Sequence, residues 1–261
     1  MSEENYVLFD VEEGVATITL NRPERRNALG TAVFKRLYEI LDEVERNDDI
    51  RVAILTGSDC GTFCAGLDLK EAAELRETKG IDILDIIGDP SFPRLSELKK
   101  PMIAAINGYA PAGGMLMVQA CDIRVGLAGA QLAITEVHRG RGSPWAVSSL
   151  WQMPSPALLE LMLVGDPMPI ERFHQIGYIN YLEPTVEKVL ERAKALARRI
   201  AVAAPLSVEA AKASIKAAED LVTAHALKEA SRLHDKAYKS EDAIEGPKAF
   251  SEKRKPQWKG R

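Results

Sequence analysis

The stretch INGYAPAGGMLMVQACD, residues 106–122, places two adjacent glycines between a strand-like segment and an apolar helix-like segment. Glycine weakens either element by roughly 0.5–1 kcal/mol relative to alanine, so a pair at this junction needs a physical reason. The stretch carries no charged residue from Ile106 until Asp122. We interpret Gly113 and Gly114 as residues that let bare backbone N–H groups approach an oxygen atom.

Strand-like and helix-like segments alternate around this junction over residues 50–135, which is typical of a parallel sheet with crossover helices. Nearer the start of the chain, a turn with a glycine lies between two β-rich runs and predicts a hairpin. Apolar residues at helical spacing then predict a helix from Thr31 to about Arg46. The predicted strands are residues 7–11 and 15–20 of the hairpin and, in the alternating part, 52–55, 101–108, 121–126 and 131–136.

After residue 145 the chain changes character and is nearly all helical. The segments 206–220 and 221–238 are predicted as separate helices there. We place a soft domain boundary near residue 200, with residues 1–200 as the core that carries the site. Residues 201–261 are too few for an independent core, so we expect them to pack on that core or on a neighbouring subunit. Residues 78–100 mix glycine, proline and charge, and they predict a mobile segment with short helical pieces.

Composition narrows the possible functions of the 261-residue chain. A net charge of −4, from 34 basic and 38 acidic residues, argues against nucleic acid as the partner because no basic field would hold phosphates. The sequence shows no apolar run long enough for a membrane span and no signal peptide, so we expect no membrane partner and a cytoplasmic location. The chain has three cysteines, an odd and low number that does not favour a disulfide framework. No nearby histidine or second cysteine pair completes a set of zinc ligands with them, so we expect no metal site.

Two junctions of the same kind point to one site. The segments FCAGLDLKE (63–71) and NGYAPAGG (107–114) both read as a strand followed by a helix. Such junctions in a parallel sheet open on the same edge, and the first turn of each helix leaves unpaired N–H groups there. Two donors that converge on one carbonyl oxygen form an oxyanion hole. A third segment, ITEVHRG (134–140), adds the carboxylate of Glu136 directly after a strand.

Taken together, these segments resemble the crotonase family, also called the enoyl-CoA hydratase/isomerase superfamily. The resemblance covers essentially the whole chain, in the family's order and spacing. It implies an α/β fold with a crotonase-like ββα spiral core and a C-terminal helical region that makes oligomer contacts, in a trimer or a dimer of trimers. It also implies an acyl-CoA thioester substrate, with coenzyme A present as part of that substrate and no permanently bound cofactor. The segments that carry the resemblance are NRPERRNAL (21–29), the two junctions, AQLAITEV (130–137) and the tail SEDAIEGPKAFSEKRKPQW (240–258).

The resemblance also implies roles for individual residues. The backbone N–H groups of Leu67 and Gly113 match the family's oxyanion-hole donors, which would stabilise an enolate, and Glu136 matches an acid/base. Losing one such donor typically costs roughly 3 kcal/mol of barrier lowering. The remaining positions that the resemblance implies along the coenzyme and thioester are Arg25, Arg26, Ala28, Ala65, Gly66, Asp68, Leu69, Gly114, Phe250 and Lys253.

One position departs from the family's hydratases, which carry two glutamates. Leu116 occupies the place of the first, and Glu136 that of the second. Hydration needs a water to be held and deprotonated while a proton reaches the α-carbon, a task suited to two carboxylates. The reaction therefore stays open. The resemblance implies a reaction of the enoyl-CoA hydratase/isomerase type with a single glutamate as acid/base, and the alternatives are a Δ3,Δ2-enoyl-CoA isomerase, a CoA-ester hydrolase or lyase, and a catalytically reduced CoA-ester-binding paralogue.

The segment HRGRGSPWAVSS (138–149) also departs from the glycine-rich turn of many family members. His138 lies two positions after Glu136, so it shares the face of that residue if the strand continues. It is then a candidate second acid or base, since its ordinary pKa lies near neutrality; otherwise it is a structural or surface histidine. Trp145 is a candidate for shaping an aromatic or alicyclic acyl pocket.

Overall fold

A six-stranded sheet and a three-stranded sheet organise the chain in the computed structural model, which describes residues 3–88 and 92–261. The strands are β1 (Val7–Glu12), β2 (Val15–Leu20), β3 (Val52–Gly57), β4 (Met102–Ile106), β5 (Ala110–Pro111), β6 (Ile123–Leu127), β7 (Gln131–Ala133), β8 (Met168–Pro169) and β9 (Tyr181–Glu183). The α-helices are α1 (Thr31–Arg46), α2 (Leu69–Lys79), α3 (Ile83–Ile87), α4 (Pro93–Ser96), α5 (Gly113–Ala120), α6 (Ser155–Val164), α7 (Ile170–Gln175), α8 (Val186–Ala201), α9 (Pro205–Tyr238) and α10 (Asp242–Ser251).

The large sheet has the order β1-β2-β3-β4-β6-β9. Strands β1 and β2 are antiparallel, which confirms the predicted hairpin, and every later pair in this sheet is parallel. In the small sheet, β5 pairs with β7 in parallel and β7 pairs with β8 in antiparallel orientation. The parallel arrangement brings the carboxyl ends of β3 and β4 to one edge, where ligands bind in open α/β sheets.

Helices cover both faces of the large sheet, as a parallel sheet requires. Helix α1 buries one apolar stripe, from Val33 to Val44, in the main core. On the other face, α8 places Val189, Ala193 and Ala197 at four-residue spacing against the strands. The small alanines let the helix approach the sheet closely, and the predicted helix from Thr31 to Arg46 is confirmed.

The prediction of two separate helices over residues 206–220 and 221–238 is wrong. Helix α9 runs without a break for 34 residues. Neither glycine nor proline occurs after Pro205 until the helix ends, so nothing in the chain interrupts it. Leu206, Ile215 and Leu221 on this helix are 80%, 64% and 85% exposed. Exposed apolar side chains of this kind mark contact surfaces, and the predicted oligomer stays a prediction.

Short helices α3 and α4 confirm the expected helical pieces within residues 78–100, and residues 89–91 of that segment lie outside the described residues. No helix in the part of the chain that the structure describes is long and apolar enough to span a membrane. Over the same residues, no group of three or more His, Cys, Asp or Glu side chains is arranged to hold a metal ion.

Candidate active site

The two strand-to-helix junctions lie side by side at the carboxyl edge of the large sheet. The backbone N–H of Phe63 donates to the carbonyl of Tyr109 at 2.9 Å, which ties the first junction to the second. A Cβ on Gly66 would lie 3.0 Å from the nitrogen of Gly113, and one on Gly113 would lie 3.1 Å from the Cα of Gly66. Glycine at both positions therefore lets the two backbones approach closely without displacing a neighbour.

The N–H groups of Leu67 and Gly113 are both unpaired within the described part of the chain. Leu29 donates to the carbonyl of Gly66 at 2.8 Å and accepts from the N–H of Asp68 at 3.0 Å. In this parallel bridge the N–H of Leu67, between the two bonded groups, faces away from Leu29. Gly113 is the first residue of α5, so its N–H has no acceptor within the helix. Both N–H groups are therefore available as donors at neighbouring junctions, where Gly66 and Gly113 approach each other closely.

A strained residue precedes the second donor. Ala112 has φ +49° and ψ −117°, a conformation that costs a residue with a side chain about 1–3 kcal/mol. Its N–H donates to the carbonyl of Ala133 at 2.9 Å, and its own carbonyl accepts the N–H of Leu116 in α5. These bonds hold the strained conformation, and they also join the start of α5 to the end of β7. The strand end that leads to Glu136 is thereby attached to the donor pair.

Glu136 begins a 3-10 turn, Glu136–Arg139, directly after this strand end. Its Oε2 atom is buried and has no hydrogen-bond partner in the described part of the chain. Burial raises the pKa of Glu136 to about 7. Hydrogen bonds from its own backbone, from the Trp145 side chain and from the Thr135 backbone lower the pKa, but the effect of burial is larger. At neutral pH the carboxyl group is therefore able either to accept or to donate a proton.

His138 does not share the face of Glu136, because the strand on which that prediction depends ends at Ala133. The 3-10 turn directs His138 toward the end of α6. There its Nε2 lies 3.6 Å from Oδ1 of Asp166, and its side chain is 47% exposed. These contacts favour the second of the two alternatives for His138, a structural or surface histidine.

Leu116 and Trp145 are both buried, with 6% and 7% exposure. Trp145 belongs to a second 3-10 turn, Pro144–Trp151, and its carbonyl accepts the side-chain N–H of Gln119 at 3.1 Å. The Ser149 hydroxyl of the same turn donates to the Gln119 side-chain oxygen. Sequence reasoning missed Gln119, although it is the one polar side chain in α5, and that was the available signal.

The residues predicted along the coenzyme divide into two groups. Arg25 and Arg26 are exposed beside the first junction, and the carbonyl of Arg26 accepts the N–H of Ala65 at 3.1 Å. Ala28 lies buried two residues further along this loop, and the side chain of Leu69 is exposed at the start of α2.

The second group consists of a buried residue, Asp68, and of two residues in the C-terminal region, Phe250 and Lys253. Asp68 is buried, accepts hydrogen bonds from the first N–H groups of α2, and forms an ion pair with Arg22 at 3.1 Å. Phe250, in α10, packs under the guanidinium of Arg139 at 4.1 Å, and Lys253 follows it as an exposed residue. Arg22 was not among the predicted site residues.

Comparison with known proteins gives one consistent result. The family model described as enoyl-CoA hydratase/isomerase matches residues 10–261. The (E)-benzylidenesuccinyl-CoA hydratase of Thauera aromatica is 34% identical over 97% of this chain and 99% of its own length. The carnitinyl-CoA dehydratase of Proteus mirabilis is 34% identical over 95% of each chain. A crystal structure of carnitinyl-CoA hydratase from Mycobacterium avium has a TM-score of 0.85 and 33% identity, over 98% of this chain and 99% of that one.

Proposed function

The chain belongs to the enoyl-CoA hydratase/isomerase family, and we propose that it moves a proton at the α-carbon of an acyl-CoA thioester held by Leu67 and Gly113. The crotonase-like α/β fold predicted from sequence is confirmed, and the protein is an acyl-CoA enzyme of the hydratase/isomerase type.

The proposed chemistry begins with the thioester oxygen bound between the N–H groups of Leu67 and Gly113. Loss of the α-proton places negative charge on that oxygen, and donors already in position stabilise this charge without reorganising. The single observation that carries the proposal is that both N–H groups lack a partner in the described part of the chain, at two junctions where Gly66 and Gly113 leave no room for a side chain in its usual place. Arg25 and Arg26, exposed beside the same junction, are suited to the phosphates of coenzyme A.

Glu136 is the proposed acid and base for this proton. General acid–base catalysis works best when the pKa of the group lies near the working pH, and burial brings the pKa of Glu136 to about 7. The buried, unpartnered Oε2 atom is free to face a substrate carbon rather than a protein donor. The backbone link from Ala112 to Ala133 supports a fixed spacing between this carboxyl group and the two N–H donors.

The buried Leu116 favours a reaction that moves one proton, such as shifting a double bond between Δ3 and Δ2, over efficient hydration. An apolar side chain cannot anchor the attacking water that a second carboxylate would hold. A second candidate is hydration or dehydration of a larger acyl group. It is favoured by the relatives, named as a benzylidenesuccinyl-CoA hydratase and a carnitinyl-CoA dehydratase. Trp145, buried behind Glu136, would shape the acyl pocket in either case.

Solvent deuterium exchange at the α-carbon tests the proposal without requiring the acyl group to be known. The purified protein is incubated in deuterium oxide with a panel of thioesters that carry an sp³ α-carbon with a hydrogen, from butyryl and 3-butenoyl through branched to cyclic acyl-CoA, and label uptake is followed by mass spectrometry. Exchange with at least one thioester is the expected result. Tight binding across the panel without exchange or turnover would instead identify a CoA-ester-binding paralogue.

Crotonyl-CoA hydration, followed by loss of ultraviolet absorbance, is expected to be slow compared with a two-glutamate hydratase assayed in parallel. Leu116→Glu is expected to raise it by about tenfold or more, because general acid–base groups contribute roughly 10²–10⁴-fold and a buried new carboxylate is only partly effective. Leu116→Gln has nearly the same size without the charge and is the control. A wild-type rate equal to that of the reference hydratase would contradict this reading of Leu116.

The pH dependence of exchange is expected to reflect Glu136. Only the carboxylate removes a proton, so kcat/KM for exchange should rise through a pH of about 7 and level off above it. Because the Trp145 hydrogen bond lowers the pKa of Glu136, Trp145→Phe should move this rise to higher pH. Trp151→Phe is the matched control, since the indole of Trp151 donates to Thr223 and is half exposed. A rise centred near the ordinary glutamate pKa would exclude the buried carboxyl group as the base.

A further inference from the structure

Arg22 is a buried cation directly behind the first junction. One guanidinium nitrogen donates to the carbonyl of Ala28 at 3.0 Å. Another lies 3.1 Å from Oδ2 of Asp68, and the two side chains are only 10% and 5% exposed. The guanidinium carbon stands 4.9 Å from the centre of the Tyr6 ring. This one side chain therefore contacts two segments that are far apart in the sequence.

Both of those segments form the backbone bridge that orients Leu67. Ala28 precedes Leu29, whose backbone bonds to Gly66 and to Asp68 on either side of Leu67. Asp68 follows Leu67 directly, and its Oδ1 accepts the N–H groups of Lys70 and Glu71 at 3.2 Å each. Its Oδ2 has no hydrogen bond in the described part of the chain, so the charge on that oxygen depends on Arg22.

We infer that Arg22 is a positioning residue for the Leu67 N–H, and through it for the oxygen of the bound thioester. This inference rests on the proposed function. The rigid, planar guanidinium donates to the carbonyl of Ala28 and holds a second nitrogen beside Oδ2 of Asp68 as an ion pair, whereas a lysine ammonium is a single point of charge on a flexible stem. By holding Ala28 and Asp68, Arg22 fixes the bridge between Leu29 and residues 66–68, and with it the direction of the Leu67 N–H. Arg22 does not itself touch the substrate.

A purely structural role is the competing explanation, and it makes a different prediction. A buried ion pair is weak support for stability as such, although removing one partner leaves an uncompensated charge. A structural role would lower the melting temperature and leave the folded enzyme's kcat unchanged. A positioning role lowers kcat in the folded enzyme, because a misdirected donor loses most of its value in the transition state.

The experiment compares Arg22→Lys with wild type. We expect kcat for α-proton exchange to fall by about tenfold or more, up to the roughly 10²–10³-fold of losing one oxyanion donor completely, and KM to change less than about threefold. Carbon-13 NMR of butyryl-CoA labelled at the thioester carbonyl gives a second readout. The downfield shift of the bound carbonyl should be large in wild type and smaller in Arg22→Lys, since it reports polarisation by the two N–H donors.

Two further variants separate the explanations. Lys100→Met removes another buried cation, one that donates to the carbonyls of Val44 and Asn47 at 2.8 and 2.6 Å ahead of β4. It should lower the melting temperature while leaving kcat and the carbonyl shift unchanged. If Arg22→Lys fails to fold, Asp68→Asn keeps a side chain that caps α2, removes the charge, and should change kcat and the carbonyl shift in the same direction.

Unchanged kcat and an unchanged carbonyl shift in folded Arg22→Lys would overturn the inference. Failure of the proposed function has a different signature, which is absence of exchange in wild type with every thioester. The labelled carbonyl still tests Arg22 in that case. A wild-type shift that shrinks in Arg22→Lys supports the positioning role, and an equal shift in both proteins refutes it.

Discussion

Replacing Glu136 by glutamine is expected to reduce α-proton exchange by roughly 10²–10⁴-fold while leaving the affinity for acyl-CoA unchanged. Glutamine has the size of glutamate and fits the same space, but its amide neither accepts nor returns a proton at neutral pH. The N–H groups of Leu67 and Gly113 would still bind the thioester oxygen. Binding and proton transfer should therefore separate in this variant.

Exchange is measured by mass spectrometry, and binding by calorimetry with butyryl-CoA. Glu171→Gln is the control, because Glu171 is a carboxylate of α7, outside both junctions in the sequence, that accepts the N–H of Gly129 at 2.6 Å. A wild-type rate of exchange in Glu136→Gln would remove Glu136 from the mechanism.

The stability of Glu136→Gln provides a check that lost activity is not lost folding. The pKa of Glu136 is about 7 in the folded chain, against an ordinary value of 4.5 that applies to the unfolded chain. Between these two pH values the folded state therefore binds more protons than the unfolded state. Stability contributed by this group is therefore lost as pH rises from the lower value to the higher. Glutamine has no such penalty, and its free energy of unfolding should equal or exceed that of wild type above neutral pH. An inactive protein that is also more stable would show that the carboxylate serves chemistry rather than the fold.

Local sequence patterns were sufficient for much of the fold. The apolar spacing of α1 predicts both ends of that helix, since a single buried stripe faces the core throughout. The glycines at the two junctions are equally readable, because close backbone approach excludes side chains whatever the surrounding fold. The unpaired N–H groups follow from the helix start and from the bridge to Leu29. Sequence patterns thus predicted the two junctions, whereas the choice of Leu67 and Gly113 as the individual donors came from the resemblance to the family and stays a prediction.

Features that depend on contacts between distant segments were not accessible. The strand predicted over 131–136 ends at Ala133. The next two residues, Ile134 and Thr135, are β-branched and favour a continued strand, so the sequence does not predict the 3-10 turn that begins at Glu136. This turn moved His138 away from Glu136. Arg22 reads as one more arginine in a loop rich in arginine, and only the folded chain places it against Asp68. Gln119 likewise acquires its partners from a turn much later in the sequence.

Gly114→Ala is expected to reduce both activity and stability severely. A Cβ at this position would overlap the backbone carbonyl oxygen of Cys64, which cannot move by side-chain rotation. Alanine gains about 1 kcal/mol over glycine from helix propensity, and relieving the overlap requires α5 to move away from residues 64–67. Because that movement separates the N–H of Gly113 from the N–H of Leu67, kcat for exchange should fall by about 10²-fold or more, the usual effect of losing one oxyanion donor.

Gly126→Ala is the matched control, since the same methyl group placed in β6 would meet the terminal methyl of Ile170. That side chain can rotate, so we expect a modest fall in melting temperature and nearly wild-type kcat. Thermal unfolding and exchange are measured on both variants, with the carbonyl shift of labelled butyryl-CoA as the direct report on donor spacing. Wild-type kcat in Gly114→Ala would mean that catalysis tolerates separation of the two backbones. The thioester oxygen would then not be held between them, because no single oxygen atom can bind two donors that have moved apart.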